Sequence, residues 1–243
     1  MLEGLYSAAA GMAAQEQQLD AISNDLANVS TDGYKSERVA FSDLLYNTVE
    51  QAGTASTTGA GASAQFIGHS KTQGAIKETG NPLDLAIEGD GYFQITRANG
   101  QLALTRDGAF AVDASGSITN AEGNQLVPPI KLPAGVSASE LRIASDGTVT
   151  AGKRTLGQIK LVTVTSPDHL HSDGANELTP TSESGTPHAA TAAKINQGAL
   201  EESNVDVAKE MAAMVSTQRS YQLTSNAIQT ESQMMSIANQ LRP

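Results

Sequence analysis

The side chains best equipped for chemistry are four histidines, at positions 69, 169, 171 and 188. Two of them share the acidic run Asp168-His169-Leu170-His171-Ser172-Asp173. On a strand, His169 and His171 would point to one face and, with Asp168, could hold a metal for a hydrolase. Pro167 before the run and Asp173-Gly174 within it read instead as an exposed loop. With no cysteine in the chain, disulfides, thiolate zinc sites and a cysteine nucleophile are excluded. HExxH, GxSxG, P-loop and GxGxxG patterns do not occur, and Gly89-Asp90-Gly91 lacks the third glycine and the following helix of a dinucleotide site. Asp113-Ala114-Ser115-Gly116 lacks the acidic twelfth position of a calcium loop. The residues therefore argue against an enzyme, and no catalytic, cofactor-binding or metal-binding residue is assigned.

Composition narrows the partners. A formal net charge of −11 argues against nucleic acid, whose binding needs Lys and Arg to displace counterions. No apolar run reaches the roughly 20 residues that insertion into a membrane requires. Glu3, with no Lys or Arg before Lys35, is unlike the basic start of a secretory signal peptide.

The elements that must position these residues divide the chain sharply. Residues 199–242 contain neither Gly nor Pro, residues 1–34 contain three Gly and no Pro, and all six Met lie in these two ends. Such ends are helix-compatible and enclose a turn-rich centre. Leu5, Met12, Leu19 and Leu26 recur every seven residues, with Ala8, Ile22 and Val29 three residues behind members of that series and Gln15 the polar exception. The other end repeats the spacing with Val207, Met214, Tyr221, Ile228 and Met235, widened by Met211 and Val215. Seven-residue repeats favour helix pairing, with each other or with neighbouring copies.

The centre reads as β. Leu83, Leu85 and Ile87 alternate with Asp84, Ala86 and Glu88. Asn99-Gly100 separates Tyr92–Thr96 from Leu102 and Leu104, and Asp146-Gly147 separates Leu141/Ile143 from Val149. Gln158 to Thr165 reads as one strand buried on both faces. Gly53 to Ser63 and Leu178 to Ala193 read as linkers of low complexity. The expected fold class is α+β, with paired, coiled-coil-like long terminal helices and a central antiparallel β domain. The expected division is a helical assembly domain of 1–30 with 201–243, an extended connecting domain of 31–80 with 181–200, and a β domain of 81–180.

Five segments carry a specific likeness. Ser23-Asn24-Asp25-Leu26-Ala27-Asn28-Val29-Ser30-Thr31-Asp32-Gly33-Tyr34-Lys35 closely resembles the SNNLAN-x-x-T-x-G-[FY]-K signature of flagellar rod and hook proteins, with Asp25 where that family usually has Asn. Asn81-Pro82-Leu83-Asp84-Leu85-Ala86-Ile87-Glu88-Gly89-Asp90-Gly91-Tyr92-Phe93 and Thr105-Arg106-Asp107-Gly108-Ala109-Phe110 follow in the family's order. Leu200-Glu201-Glu202-Ser203-Asn204-Val205-Asp206 and Gln218-Arg219-Ser220-Tyr221 resemble its LExSNV and QRxY patterns; Thr224 and Asn226 replace an Asn and a Lys common there.

The resemblance implies a structural subunit of the bacterial flagellar basal body. Such subunits leave the cell through the flagellar export apparatus without a cleaved signal, and stack helically with copies of themselves and with neighbouring rod and hook proteins in the cell envelope. Tyr46 to Gly68 resembles the extended loop of distal rod proteins, favouring that position over a proximal rod or short hook-type protein. The expected assembly interface comprises Leu5, Met12, Leu19, Ile22, Asn24, Leu26 and Asn28 with Met211, Met214, Gln218, Arg219, Tyr221 and Ile228.

Overall fold

A computed structural model describes residues 2–44, 46–51, 54–59, 61–133 and 135–240. Two long helices frame the chain: α1, Leu2–Ala27, and α2, Val207–Gln240. Alanine-rich sequence without proline propagates α1. It ends where the Thr31 amide and hydroxyl donate to the Asn28 carbonyl and side-chain oxygen, and Gly33 turns the chain at φ +70°. Helix α2 starts at Asp206, whose carboxylate accepts the Ala208 and Lys209 amides at 2.9 and 3.2 Å, an N-cap that satisfies two orphan donors.

The chain forms two compact units. The helical unit comprises residues 1–27, 37–67 and 206–243. Within it α1 and α2 pack together. Gly4 lies beside the Glu231 carboxylate, and Asp25, at the other end of α1, acts electrostatically on Glu210, so the pair is antiparallel. Strand Glu37–Asp43 pairs with Ala62–His69, and Tyr46–Gln51 pairs with Thr54–Gly59 from Tyr46↔Gly59 to Gln51↔Thr54. The low-complexity stretch read as a linker from Gly53 is thus, over its described residues, largely one side of a hairpin. Its threonines favour extended backbone, a preference that composition alone obscures.

The β unit comprises residues 28–36 and 68–205. Tyr92–Thr96 is its central strand. One edge pairs with Leu102–Thr105, while the other pairs with Gln125–Leu126 near one end and Leu161–Thr163 near the other. The Asn99-Gly100 and Asp146-Gly147 turns close hairpins as their sequences predict. Alternation along the central strand buries Phe93 and Ile95, which join Leu85, Ile87, Phe110, Ile118 and Leu126 in one apolar core. Phe93 and Phe110 meet edge to face, ring centroids 5.1 Å apart. Phe93→Ala should destabilise the β unit by about 3–5 kcal/mol, read from the denaturant midpoint of the full chain.

Three readings of the centre need correction. Gln158 to Thr165 is two strands, Arg154–Gln158 pairing with Thr148–Ala151 and Leu161–Thr163 pairing with Tyr92–Thr96. Ile159 and Lys160 carry the chain between the two partners, a break that a continuous apolar run does not reveal. The stretch after Leu178 also pairs: Glu177–Thr179 with Leu102–Thr105, and His188–Ala189 with Leu161–Thr163. Finally, Asp84 and Ala86 are buried along with their apolar neighbours. Asp84 tolerates this because Thr79 and Asn81 donate to its two oxygens at 2.6 and 2.7 Å.

Candidate functional site

In the helical unit, hydrophobic positions outnumber the partners available to cover them. Of the thirteen large apolar side chains exposed among the described residues, eleven belong to this unit, including Tyr6, Phe41, Phe66, Met211, Leu223 and Ile237. Where such residues adjoin, they form the kind of patch that interaction surfaces present. Ile22 is buried, and Leu5, Met12, Leu19, Leu26, Asn28, Met214 and Ile228 are half-buried. Asn24 is exposed and donates to Glu37 at 2.6 Å, while Gln218 and Arg219 are exposed. Met211 and Tyr221 do not share the covered face of α2: Met211 is 54% exposed and Tyr221 37%. At 100° per residue Met211 lies about 60° around the helix from Met214, farther from the half-buried face, while Tyr221 is only marginally exposed. Asp25 is buried and accepts the Glu37 amide at 2.9 Å, a bond its carboxylate makes as well as an asparagine oxygen would.

The histidine run does not assemble. His169 pairs with Glu183, His171 lies 3.5 Å from Asp173, and Asp168 pairs with Lys71. Each side chain is drawn to a different partner, and among the described residues no group of three or more potential ligands could hold a metal ion. No described helix is long and apolar enough to cross a membrane.

The β unit holds a buried ionic cluster that unites four of the five sequence motifs. Glu201 stands at its centre, almost wholly excluded from solvent. One carboxylate oxygen accepts from Arg106 Nε at 2.7 Å; the other accepts from Lys35 Nζ and from the Gly74 amide at 2.9 Å. The rest of the Arg106 guanidinium donates to the Gly91 and Gly89 carbonyls, the latter at 2.9 Å. The Gly33 amide donates to the Glu201 carbonyl, and the Ser36 amide to the Asn204 side chain at 2.8 Å. Lys35 closes the first motif and Gly89 and Gly91 lie in the second; Arg106 lies in the third and Glu201 in the fourth. Two glycines permit this convergence. A Cβ on Gly33 would stand 2.7 Å from the Arg106–Asp107 peptide, and one on Gly108 only 1.7 Å from the Leu85 carbonyl oxygen.

The electrostatics follow from burial and pairing. Burial acts to raise the Glu201 carboxyl, but Arg106, Lys35 and the Gly74 amide outweigh it and hold the group below its ordinary value. Burial pushes the Lys35 ammonium down, against the partial opposition of Glu201. The sequence carried a signal for this cluster, since charged residues recur inside motifs that have no catalytic pattern. Which charges meet could not be read from spacing, because Lys35 and Glu201 lie 166 residues apart.

The arrangement locks a structural scaffold and offers an uncovered helical surface, and comparison with known proteins agrees. Residues 5–35 match the family described as flagella basal body rod protein, residues 86–151 the flagellar hook protein FlgE/F/G D1 domain, and residues 196–241 the flagellar basal body rod FlgEFG protein C-terminal family. The chain is 35% identical to the flagellar basal-body rod protein FlgG of Borreliella burgdorferi, covering 100% of this chain and 99% of that protein. It is likewise 35% identical to FlgG of Caulobacter vibrioides, over 99% of this chain and 100% of that one. Against the rod protein FlgF of Mesorhizobium japonicum it is 30% identical, over 92% and 91% of the two chains. With end-to-end relatives of this kind and all three family regions in order, the chain belongs to the flagellar basal-body rod protein family.

Proposed function

We propose that the chain is a structural subunit of the distal rod, polymerising helically through its terminal helices, paired in coiled-coil fashion, to form a drive shaft. The observation that carries this reading is the concentration of exposed apolar side chains in the helical unit of a chain that matches rod proteins along its whole length. Its mechanism is mechanical: torque passes through packed helices, with no turnover and no cofactor. The subunit leaves the cell by the flagellar export apparatus and resides in the cell envelope, with neighbouring rod and hook proteins as partners. The thirteen residues of the expected interface, from Leu5 to Ile228, are the proposed contacts. Each Leu or Met buried there should contribute roughly 1.5–3 kcal/mol. Leu19→Asp is expected to stop rod assembly while the β unit keeps its cooperative melt. Intact basal bodies and normal swimming in that strain would refute the interface. Labelling the protein along isolated basal bodies tests the position, with label between the proximal rod and the hook expected.

A further inference from the structure

Charge sets a problem for self-assembly that the apolar surface does not solve. At −11, copies of this chain repel one another. The described residues of the helical unit include three cations, Arg38, Lys209 and Arg219, against ten acids. Arg219 lies mid-helix, exposed, with no ion pair among the described residues. One turn before it stands Val215, 49% exposed, and one turn after it Leu223, 70% exposed. Two exposed apolar side chains flanking an arginine suit a desolvated contact, where arginine is a favoured anchor.

The same unit carries a surface of complementary character. An open groove of about 690 Å³ is lined by α1 and the two strands beside it. Asp20 and Glu37 supply carboxylates, and Phe66, Val39 and Ala64 supply apolar wall. Asp20 is exposed and forms no ion pair among the described residues; Glu37 is engaged by Asn24. Arg219 cannot fill this groove in its own copy. At 100° per residue it lies roughly 140–180° around α2 from Met214 and Ile228, on the side turned away from the covered face.

We propose that Arg219 of one copy enters this groove on a second copy, pairing with Asp20 beside the Phe66 ring while Val215 and Leu223 cover the apolar wall. The two surfaces differ, so the contact is head to tail and leaves a free groove and a free arginine at the ends of any assembly that does not close into a ring. Such a contact builds a helical polymer wherever its rotation does not close, and not a self-complementary dimer. The proposal rests on the rod reading above and assigns one of its contacts.

Charge reversal tests it. Arg219→Glu and Asp20→Arg, each as the sole copy of the gene, should lower the protein in isolated basal bodies at least tenfold and abolish swimming. The double variant should restore incorporation to within about threefold of the parent. Both side chains are exposed, so the purified full-length variants should melt as the parent does. If a reversal disturbs the melt, Arg219→Gln and Asp20→Asn replace it with a smaller expected drop. Parental incorporation of either single variant, or no rescue in the double, would overturn the pairing. Absence of the parent protein itself from basal bodies would instead overturn the rod reading.

Discussion

Glu201→Ala is expected to destabilise the β unit by about 3–5 kcal/mol at neutral pH, the cost of removing one partner from a buried ion pair. Two cations, Lys35 and Arg106, pair with that carboxylate, and their side chains are only 13% and 8% exposed. The denaturant midpoint of the full-length chain measures the loss, and an unchanged midpoint at pH 7 would refute it. The pH dependence follows from the direction of the shift. Glu201 titrates below its ordinary 4.5 in the folded chain, so the unfolded chain binds the proton first. Its contribution is complete above about 4.5 and is lost as pH falls through the lower, folded value. Lys35 acts at the other end of the scale. Its folded value lies below 10.5, so stability rises with pH between that value and 10.5 as the buried charge is relieved. Glu201→Gln should therefore be weaker than the parent at pH 7 and flatter between pH 5 and the acid transition.

Gly108→Ala should be as damaging, by a different route. Its added methyl would sit 1.7 Å from the Leu85 carbonyl oxygen and 2.7 Å from its carbon. Backbone cannot swing aside as a long side chain can. The Leu85 amide also donates to the Gly108 carbonyl at 3.0 Å, and Phe110, two residues on, packs on Phe93. Separating the two segments breaks that bond and drags Phe110 from the core. A loss of about 3 kcal/mol or more is expected, beyond ordinary overpacking because the obstacle is main chain. Hydrogen exchange should show faster opening at Leu85 and Phe110, while α1 and α2 exchange as before. Protection equal to the parent's at those two amides would contradict the argument.

What the sequence alone determined follows from periodicity and local turn chemistry. The two long helices were legible because 19 of the 22 glycines and seven of the eight prolines lie in the centre and apolar residues recur at helical spacing. The hairpins at Asn99-Gly100 and Asp146-Gly147 were legible because few residue pairs suit such turns. The family was legible because five motifs occur in order. Other features belong to the tertiary structure. Gln158 to Thr165 splits between two partners because strand pairing is a long-range choice, and an apolar run is compatible with one strand or two. Met211 and Tyr221 are exposed although both lie in or beside the apolar stripe, because spacing names a face and only the packed partner decides which of its members are covered. Lys35, Arg106 and Glu201 were each visible inside a motif, but their meeting was not. A buried charge persists only where another part of the chain supplies its partner, and that partner is fixed by the folded path, not by neighbours in sequence.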